Sequence, residues 1–272
     1  MIPATFDYEL AASVDDTLSM LGQASDAKLI AGGHSLLPLM KLLFAQPSLL
    51  VDIGRLKDLA YVRDDGDAIA VGALTRHADL AGDALLGSSC AVLAETAGQV
   101  GDPQVRHCGT IGGSVAHADP ASDLPTVLLA LDATMVARGP SGERTIAAGD
   151  FFTGFLESAL EPTELLIEIR VPKLDGGSVY LKYNRRAQDW ATVGVAAVQN
   201  SGATNVALTN MAATPIRAAG VEEALAGGAD AAAAAARVSE GSSPPSDTNG
   251  SADYRSHLAT VLTKRALDAL DG

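Results

Sequence analysis

The chain has 272 residues, of which 47% are hydrophobic and only 4% aromatic, so it is long enough for about two domains with largely aliphatic cores. Its 19 lysine and arginine residues against 33 aspartate and glutamate residues give a formal charge of −14, which argues against nucleic acid and anionic membranes as partners. A chain this acidic needs local help to bind a phosphorylated ligand, and backbone N–H groups at glycine turns supply it most readily.

The sequence contains two cysteines, Cys90 and Cys108, whose spacing fits neither a zinc site nor a four-cysteine iron–sulfur cluster. So few cysteines are typical of a reducing compartment, and we predict a cytoplasmic protein. The first residues lack the basic start and apolar core of a signal peptide. No apolar run reaches the roughly 20 residues of a transmembrane helix, so we predict no membrane span.

In chain order, the first 100 residues predict alternating helices and strands. Ser13 has the side chain and position of a helix N-cap, with Asp16 three residues later. The predicted elements are a helix over 14–22, strands over 28–31, 49–53 and 68–72, a helix over 36–44, a helix over 76–80 capped by Thr75, and a helix over 89–100.

The remainder begins with Gly101–Pro125, the densest patch of turn-forming and small polar residues in the chain. A glycine-rich segment at 175–178 then marks a domain boundary. The predicted elements are a helix over 126–131, strands over 134–138, 144–147, 165–171, 179–184, 192–199 and 205–210, and helices over 221–226, 229–238 and 254–270.

The first candidate binding segment is Ile30–Leu36, in which two glycines precede His34 and Ser35. Glycines let the backbone approach a ligand closely, and the Ser35 hydroxyl with the N–H groups opening the next helix suits a pyrophosphate. The segment matches neither the Rossmann nor the P-loop fingerprint, so a plain strand-to-helix turn stays open as an alternative.

The second candidate segment is Gly109–Pro125, which combines paired glycines with small hydroxyl side chains and two carboxylates. We interpret it as a long irregular loop, and such loops are usually functional. The hydroxyls of Thr110 and Ser114 suit phosphate oxygens, whereas Asp119 and Asp123 suit ribose hydroxyls or ring N–H groups. Together the two segments predict a dinucleotide lying between two subdomains.

Two motifs, AGGHSLLPLMKL at Ala31–Leu42 and TIGGSVAHADPASDLP at Thr110–Pro125, resemble the FAD loops of a known family. That family comprises the FAD-binding medium subunits of aerobic carbon-monoxide dehydrogenase and xanthine dehydrogenase, the molybdenum hydroxylases. The resemblance continues through 72–75, 165–169, 189–192 and 250–255, and therefore spans nearly the whole chain in the family's order. The second motif is the most specific, because GGHS also occurs in other flavin oxidases.

The resemblance implies an α+β fold with a PCMH-type FAD-binding domain at 1–175, divided into α/β subdomains at about 1–55 and 56–175. It implies a C-terminal α+β domain at 176–272 with a three-stranded antiparallel sheet and helices. It also implies noncovalent FAD. The cofactor-binding residues carried over from it are Leu29, Ile30, Ala31, Gly32, Gly33, His34, Ser35, Leu36, Thr75, Thr110, Ile111, Gly112, Gly113, Ser114, Asp123, Leu166, Lys182 and Trp190.

Some of these residues also have plain structural interpretations. The basic residues Lys182, Arg185 and Arg186 suit either a solvated strand edge or the stabilisation of an anionic reduced flavin. Trp190, the only tryptophan, suits either a buried core or a flavin contact. His117 is equally suited to a proton relay and to a loop hydrogen bond.

The favoured hypothesis is an electron-transfer subunit, since the family places molybdopterin and 2Fe–2S clusters only in partner subunits. The implied assembly is a dimer of heterotrimers with a small 2Fe–2S subunit and a large molybdopterin subunit. We identify no catalytic residues and no metal-ligand spacing in this chain. The alternatives are a self-contained flavin-dependent oxidase or dehydrogenase of the same fold and a cofactor-free assembly protein.

Overall fold

The computed structural model describes residues 2–270, and its elements form three consecutive groups, each built around one larger sheet; the second group also holds a two-stranded sheet. The sheet of the first group is parallel, in the order β1-β3-β2. Ser13 caps the first helix as predicted, its Oγ accepting a hydrogen bond of 3.1 Å from Asp16 N. The elements are β1 (Asp7–Leu10), α1 (Val14–Gln23), β2 (Lys28–Ile30), α2 (Leu36–Lys41) and β3 (Leu49–Asp52).

The second group is an antiparallel sheet in the order β4-β5-β10-β6-β7, with helices packed against it. It begins with a 3₁₀ turn at Lys57–Leu59. The elements are β4 (Val62–Asp65), β5 (Ala68–Gly72), α3 (His77–Ala81), α4 (Ala84–Ser89), α5 (Ala91–Gln99), α6 (Pro103–Cys108), α7 (Ile111–His117), α8 (Asp123–Ala130), β6 (Thr134–Gly139), β7 (Gly142–Ala147), α9 (Ala148–Phe151), β8 (Phe152–Gly154), β9 (Glu157–Ser158) and β10 (Leu165–Pro172).

The third group is an antiparallel sheet in the order β11-β12-β13-β14 followed by helices. Three of its strands were predicted, and the structure adds β14, a two-residue edge strand. The elements are β11 (Ser178–Tyr183), β12 (Val193–Asn200), β13 (Ala203–Thr209), β14 (Ile216–Arg217), α10 (Ala219–Ala226), α11 (Ala231–Ala235) and α12 (Ala252–Leu270). The predicted α+β fold class is confirmed.

The helix α8 is buried between the second and third groups, and all eight of its residues are buried. It packs against β12 and β13. The opposite face of the third sheet packs against α12, so both faces of β12 are covered. This explains why β12 is a continuous run of small apolar residues that lacks the alternation of a half-exposed strand.

Several predicted elements differ in the structure. The region 101–125 is not an irregular loop, since α6, α7 and the start of α8 lie within it. The helix α2 ends at Lys41, because Leu43 turns the chain with a φ of +62°. Among residues 2–270, no helix is long and apolar enough to cross a membrane.

The buried arginine of α12 fixes the segment before that helix. Arg255 is 0% exposed, and it donates to the carbonyl oxygen of Thr192 and, at 2.8 Å, to the Asp247 carboxylate. It therefore ties the 239–249 segment to the start of β12.

We predict that Arg255→Ala lowers the free energy of unfolding by about 2–4 kcal/mol, because the change leaves a cavity and removes buried hydrogen bonds. The measurement is urea unfolding. The matched control on the same helix is Lys264→Ala, which removes an exposed ion pair with Asp268 and should cost less than about 1 kcal/mol. Equal losses in the two variants would contradict the structural role of Arg255.

Candidate functional site

A cleft of about 710 Å³ is lined by residues from all three groups, a size within the range of small-molecule sites. It brings together most of the residues predicted from the sequence. Those that line it are Leu29, Ile30, Ala31, Gly32, Gly33, His34, Ser35, Leu36, Thr110, Gly112, Gly113, Ser114, Asp123, Leu166, Lys182 and Trp190.

The first glycine segment, between β2 and α2, presents unused backbone donors to this cleft. The N–H groups from Gly32 to Leu36 hydrogen-bond to no acceptor within residues 2–270. Gly33 turns the chain with a φ of +73°, a conformation that L side chains rarely adopt. Successive free amides at the start of a helix form an anion-binding concavity, as the sequence predicted.

The two glycine segments touch each other at the cleft. A Cβ added to Gly32 would overlap the carbonyl oxygen of Cys108 and lie 2.8 Å from the Cα of Gly109. The backbone of the first segment therefore lies directly on Cys108 and on Gly109, the first residue of the second segment. Any side chain at position 32 would have to push the two segments apart.

The second glycine segment has a different role from the one predicted, because Ile111–His117 is the helix α7. Gly112 N donates to Ala73 O at 2.8 Å, and Gly113 N donates to the capping Thr110 Oγ1 at 3.1 Å. A Cβ on Gly112 would lie 2.6 Å from Ala73 atoms. The glycines therefore allow close packing on Ala73, and this segment offers hydroxyl groups rather than free amides to the cleft.

Two of the predicted site residues do not line the cleft. Thr75 is buried, and its hydroxyl both accepts from Tyr61 N and donates to Tyr61 O. It also fails to cap α3, whose N-cap is Arg76. Ile111 is 0% exposed and packs in the core of the second group. The two residues lie behind the cleft wall, where Ile111 N donates to Thr75 O.

A buried ion pair links the third sheet to the cleft wall. Lys182 Nζ donates to Asp123 Oδ2 at 2.8 Å, and the two side chains are only 5% and 7% exposed. Tyr180 Oη donates to Asp123 Oδ1 at 2.7 Å and also contacts Thr209. Burial raises the pKa of Asp123, an effect opposed by the Lys182 charge, and burial raises the pKa of Tyr180 as well. Lys182 is therefore not on a solvated edge.

The predicted basic cluster is divided among separate partners. Arg186 pairs with Asp189 at 2.7 Å, and Arg185 donates to the carbonyl oxygen of Thr248. Trp190, the next residue after Asp189, is 55% exposed and lines the cleft, so the buried-core interpretation of this residue is wrong. An exposed indole beside a cleft offers a flat face to an aromatic ring.

His77, which was not predicted from the sequence, lines the cleft from α3 and is 4% exposed. Its Nδ1 has no hydrogen-bond partner among the described residues, and burial lowers its pKa to about 4. His77 is therefore neutral near pH 7. The one signal in the sequence that His77 is buried was its spacing of three residues from Leu80, which places both on one face of a helix.

Two family models match the chain and together span most of it. Residues 4–174 match the FAD binding domain in molybdopterin dehydrogenase. Residues 178–270 match the CO dehydrogenase flavoprotein C-terminal domain.

Individual relatives match over nearly their full length. The carbon monoxide dehydrogenase medium chain of Hydrogenophaga pseudoflava is 43% identical, over 99% of this chain and 98% of the relative. The 6-hydroxypseudooxynicotine dehydrogenase complex subunit alpha of Paenarthrobacter nicotinovorans is 39% identical, over 98% and 95%. The solved Hydrogenophaga pseudoflava carbon monoxide dehydrogenase that lacks the Mo-pyranopterin moiety has a TM-score of 0.95 at 43% identity, covering 99% of this chain and 98% of that chain.

The chain therefore belongs to the family of FAD-binding medium subunits of molybdenum hydroxylases, and it is an oxidoreductase subunit with FAD as its cofactor. The resemblance on which the sequence analysis relied is confirmed. The residues present fit this cofactor, because the free amides of Gly32–Leu36 suit its diphosphate in an otherwise acidic chain.

We predict that Gly32→Ala lowers FAD affinity at least about tenfold, because the added Cβ separates the segments that form the cleft. The measurement is fluorescence titration of the apoprotein with FAD. The matched control is Gly22→Ala on α1, where an added Cβ meets nothing within 4 Å. Unchanged affinity in Gly32→Ala would contradict the importance of this contact.

We also predict that Lys182→Met destabilises the protein by about 3–5 kcal/mol at pH 8, because it leaves the Asp123 carboxylate buried without its cation. When the pKa of a carboxyl is higher in the folded state than its unfolded value of about 4, the folded protein becomes less stable as the pH rises through the folded pKa. The deficit should therefore shrink at pH 5.

Urea unfolding at pH 5 and pH 8 measures both effects. The control is Lys173→Met, which removes a more exposed ion pair with Asp64 and should cost less than about 1 kcal/mol. A Lys182→Met deficit that is the same at both pH values would show that Asp123 is not the group left unpaired.

Proposed function

We propose that this subunit takes electrons from the 2Fe–2S clusters of a partner subunit and passes them through FAD to an external acceptor. The observation that carries the proposal is the single cleft in which the free amides of Gly32–Leu36 face the same space as Lys182 and Trp190. A diphosphate-linked flavin needs both features, namely donors for its phosphates and a wall for its ring.

We assign the diphosphate to the amides of Gly32–Leu36 and to the hydroxyls of Thr110 and Ser114. These groups are neutral donors, so they bind the diphosphate without a cation in the first segment. His34, whose Nδ1 lies 2.8 Å from Gly32 O, orders the turn and is not needed as a covalent attachment. This arrangement supports noncovalent FAD.

We assign the isoalloxazine ring to the wall formed by Leu166, Lys182 and Trp190. Bound FAD supplies reversible two-electron chemistry there, and the chain supplies placement and electrostatics. Lys182 is held rigidly by Asp123, and the pair is formally neutral. Lys182 therefore contributes a fixed ammonium donor to this wall, and Asp123 balances its positive charge. Leu166 is buried on β10 and gives this wall an apolar surface.

The relatives support the division of labour within the complex. Two of them match this chain at 43% and 39% identity, although one is named for carbon monoxide and the other for a nicotine derivative. Such different substrates are compatible with one kind of flavin subunit if substrate binds elsewhere. We propose that the large subunit binds the substrate and that a small 2Fe–2S subunit delivers the electrons.

We also propose the domain limits 1–175 and 176–272, with subdomains near 1–55 and 56–175. Each of the four sheets lies within one of these limits. The expected assembly is a dimer of heterotrimers, and its expected location is the cytoplasm. Light scattering of the co-purified subunits measures the stoichiometry.

The alternative is a self-contained flavin-dependent oxidase, and one observation favours it. A second cavity of about 600 Å³ shares Asp189 and Trp190 with the cofactor cleft, so it has room for a substrate near the flavin. Direct reduction of the flavin by an organic substrate distinguishes this alternative from an electron-transfer subunit.

The test uses the FAD-loaded chain on its own. We predict that carbon monoxide, purines, aldehydes and N-heterocycles leave its flavin absorbance unchanged, whereas a reduced 2Fe–2S protein bleaches it. The first result follows because the molybdenum chemistry lies in another subunit, and the second because the flavin accepts electrons from a cluster.

Two controls define the outcome. Dithionite must reduce the bound flavin in every sample, which shows that the cofactor is competent. Gly32→Ala, treated in the same way, is the low-FAD sample. Flavin reduction by an organic substrate in the absence of partners would establish the oxidase and overturn the proposal.

A further inference from the structure

The imidazole of His77 packs against Gly109, and both residues line the cleft. Its Cδ2 and Nε2 atoms lie 2.8 and 3.0 Å from the position that a Cβ on Gly109 would occupy. The backbones are also joined, because His77 N donates to Gly109 O at 3.1 Å. Gly109 is the residue on which Gly32 packs as well. It therefore contacts both this imidazole and the turn that carries the free amides.

Neither ring nitrogen of His77 has a hydrogen-bond partner within residues 2–270, and Nδ1 alone is fully enclosed. A neutral imidazole carries one proton, and on the enclosed Nδ1 that proton would be a buried N–H group without an acceptor. The ring therefore keeps its proton on Nε2. Since His77 lines the cleft and is otherwise enclosed, the small exposed part of its ring opens into the cleft.

The charged groups that act on His77 are both basic. Burial is the main cause of its lowered pKa, and the charges of His34, in the turn after β2, and Arg106, on α6, lower that pKa further. Glu95 of α5, the other helix packed on α3, is exposed and has no part in this shift. Basic side chains that crowd one place in an acidic chain become favourable when an anion binds between them.

We infer that His77 donates a hydrogen bond from Nε2 to the diphosphate of FAD. This inference rests on the proposed function, since it adds a donor to the diphosphate site assigned to the amides of Gly32–Leu36. The imidazole is a neutral donor, as those amides are, and it reaches the cleft from α3 of the second group whereas the amides belong to the first. Donors from both groups therefore hold one anion.

The test compares two probes of the apoprotein by isothermal titration calorimetry, namely ADP, which carries a diphosphate, and adenosine, which lacks one. His77→Leu removes the donor and keeps a side chain of similar size. It should weaken the binding of FAD and of ADP at least about tenfold and leave adenosine binding unchanged. His77→Gln retains an N–H donor, so its affinity for ADP should stay within about threefold of that of the unmodified chain.

The matched control is Thr96→Val. Thr96 is also buried and its Oγ1 also lacks a hydrogen-bond partner among the described residues, but it lies on α5 and does not line the cleft. This variant should bind FAD and ADP as the unmodified chain does. The melting temperature of each variant reports whether it is folded.

A second measurement stays informative even when His77→Leu does not fold. In the unmodified chain with isotope-labelled histidine, the NMR signal of the His77 Nε2–H group should shift when ADP is added and stay in place when adenosine is added. The spectrum of His77→Gln identifies that signal.

Three outcomes would overturn the inference: an unchanged ADP affinity in folded His77→Leu, an equal loss of adenosine affinity, or an imidazole signal that ADP does not shift. If Gly32→Ala weakens FAD binding while His77→Leu does not, only the role of His77 fails. If neither variant weakens it, the proposed diphosphate site fails as well.

Discussion

The close approach of Gly32 to the backbone of Cys108 and Gly109 is the constraint on which the cleft depends. This chain carries a formal charge of −14, so a diphosphate has to be held by dipoles rather than by excess cations. The amides from Gly32 to Leu36 are free to provide those dipoles, and the turn that carries them lies against the second glycine segment. Because Gly32 has no side chain, the segment after β2 packs directly on Cys108 and Gly109. This contact between the first and second groups shapes the cleft.

A second constraint is the buried pair of Lys182 and Asp123, which fixes the third sheet to the helix α8. Two charges in an apolar setting are stable only when their geometry is good and their remaining hydrogen bonds are satisfied. Tyr180 satisfies one carboxylate oxygen, and Thr209 extends the network toward Thr126. The cleft wall at Lys182 is consequently held by an ion pair and by two hydrogen bonds to Asp123. The same network links the C-terminal sheet to the wall of the cleft.

Much of the fold followed from local patterns, because caps and hydrophobic periodicity act over a few residues. Ser13, the strand at Ala68–Gly72 and the long final helix are examples. The region 101–125 was mispredicted because its glycines are used for packing inside a helix, and a single sequence does not separate close packing from a turn. Gly112 against Ala73 illustrates this. The place of His77 in the cleft and the pairing of Lys182 with Asp123 could not be predicted from the sequence. Both arise from contacts between residues far apart in the chain.

The position of Trp190 connects these constraints to the cleft that it lines. The β11–β12 loop that carries it begins directly after the strand of Lys182, and the Arg186–Asp189 pair holds it. Farther along, Arg255 holds both the start of β12 and the segment that closes the second cavity. The loop that borders both cavities is therefore held by two ion pairs, Arg186–Asp189 within it and Arg255–Asp247 beyond it. Trp190 therefore presents its exposed indole to the cleft from a loop whose backbone is held on either side.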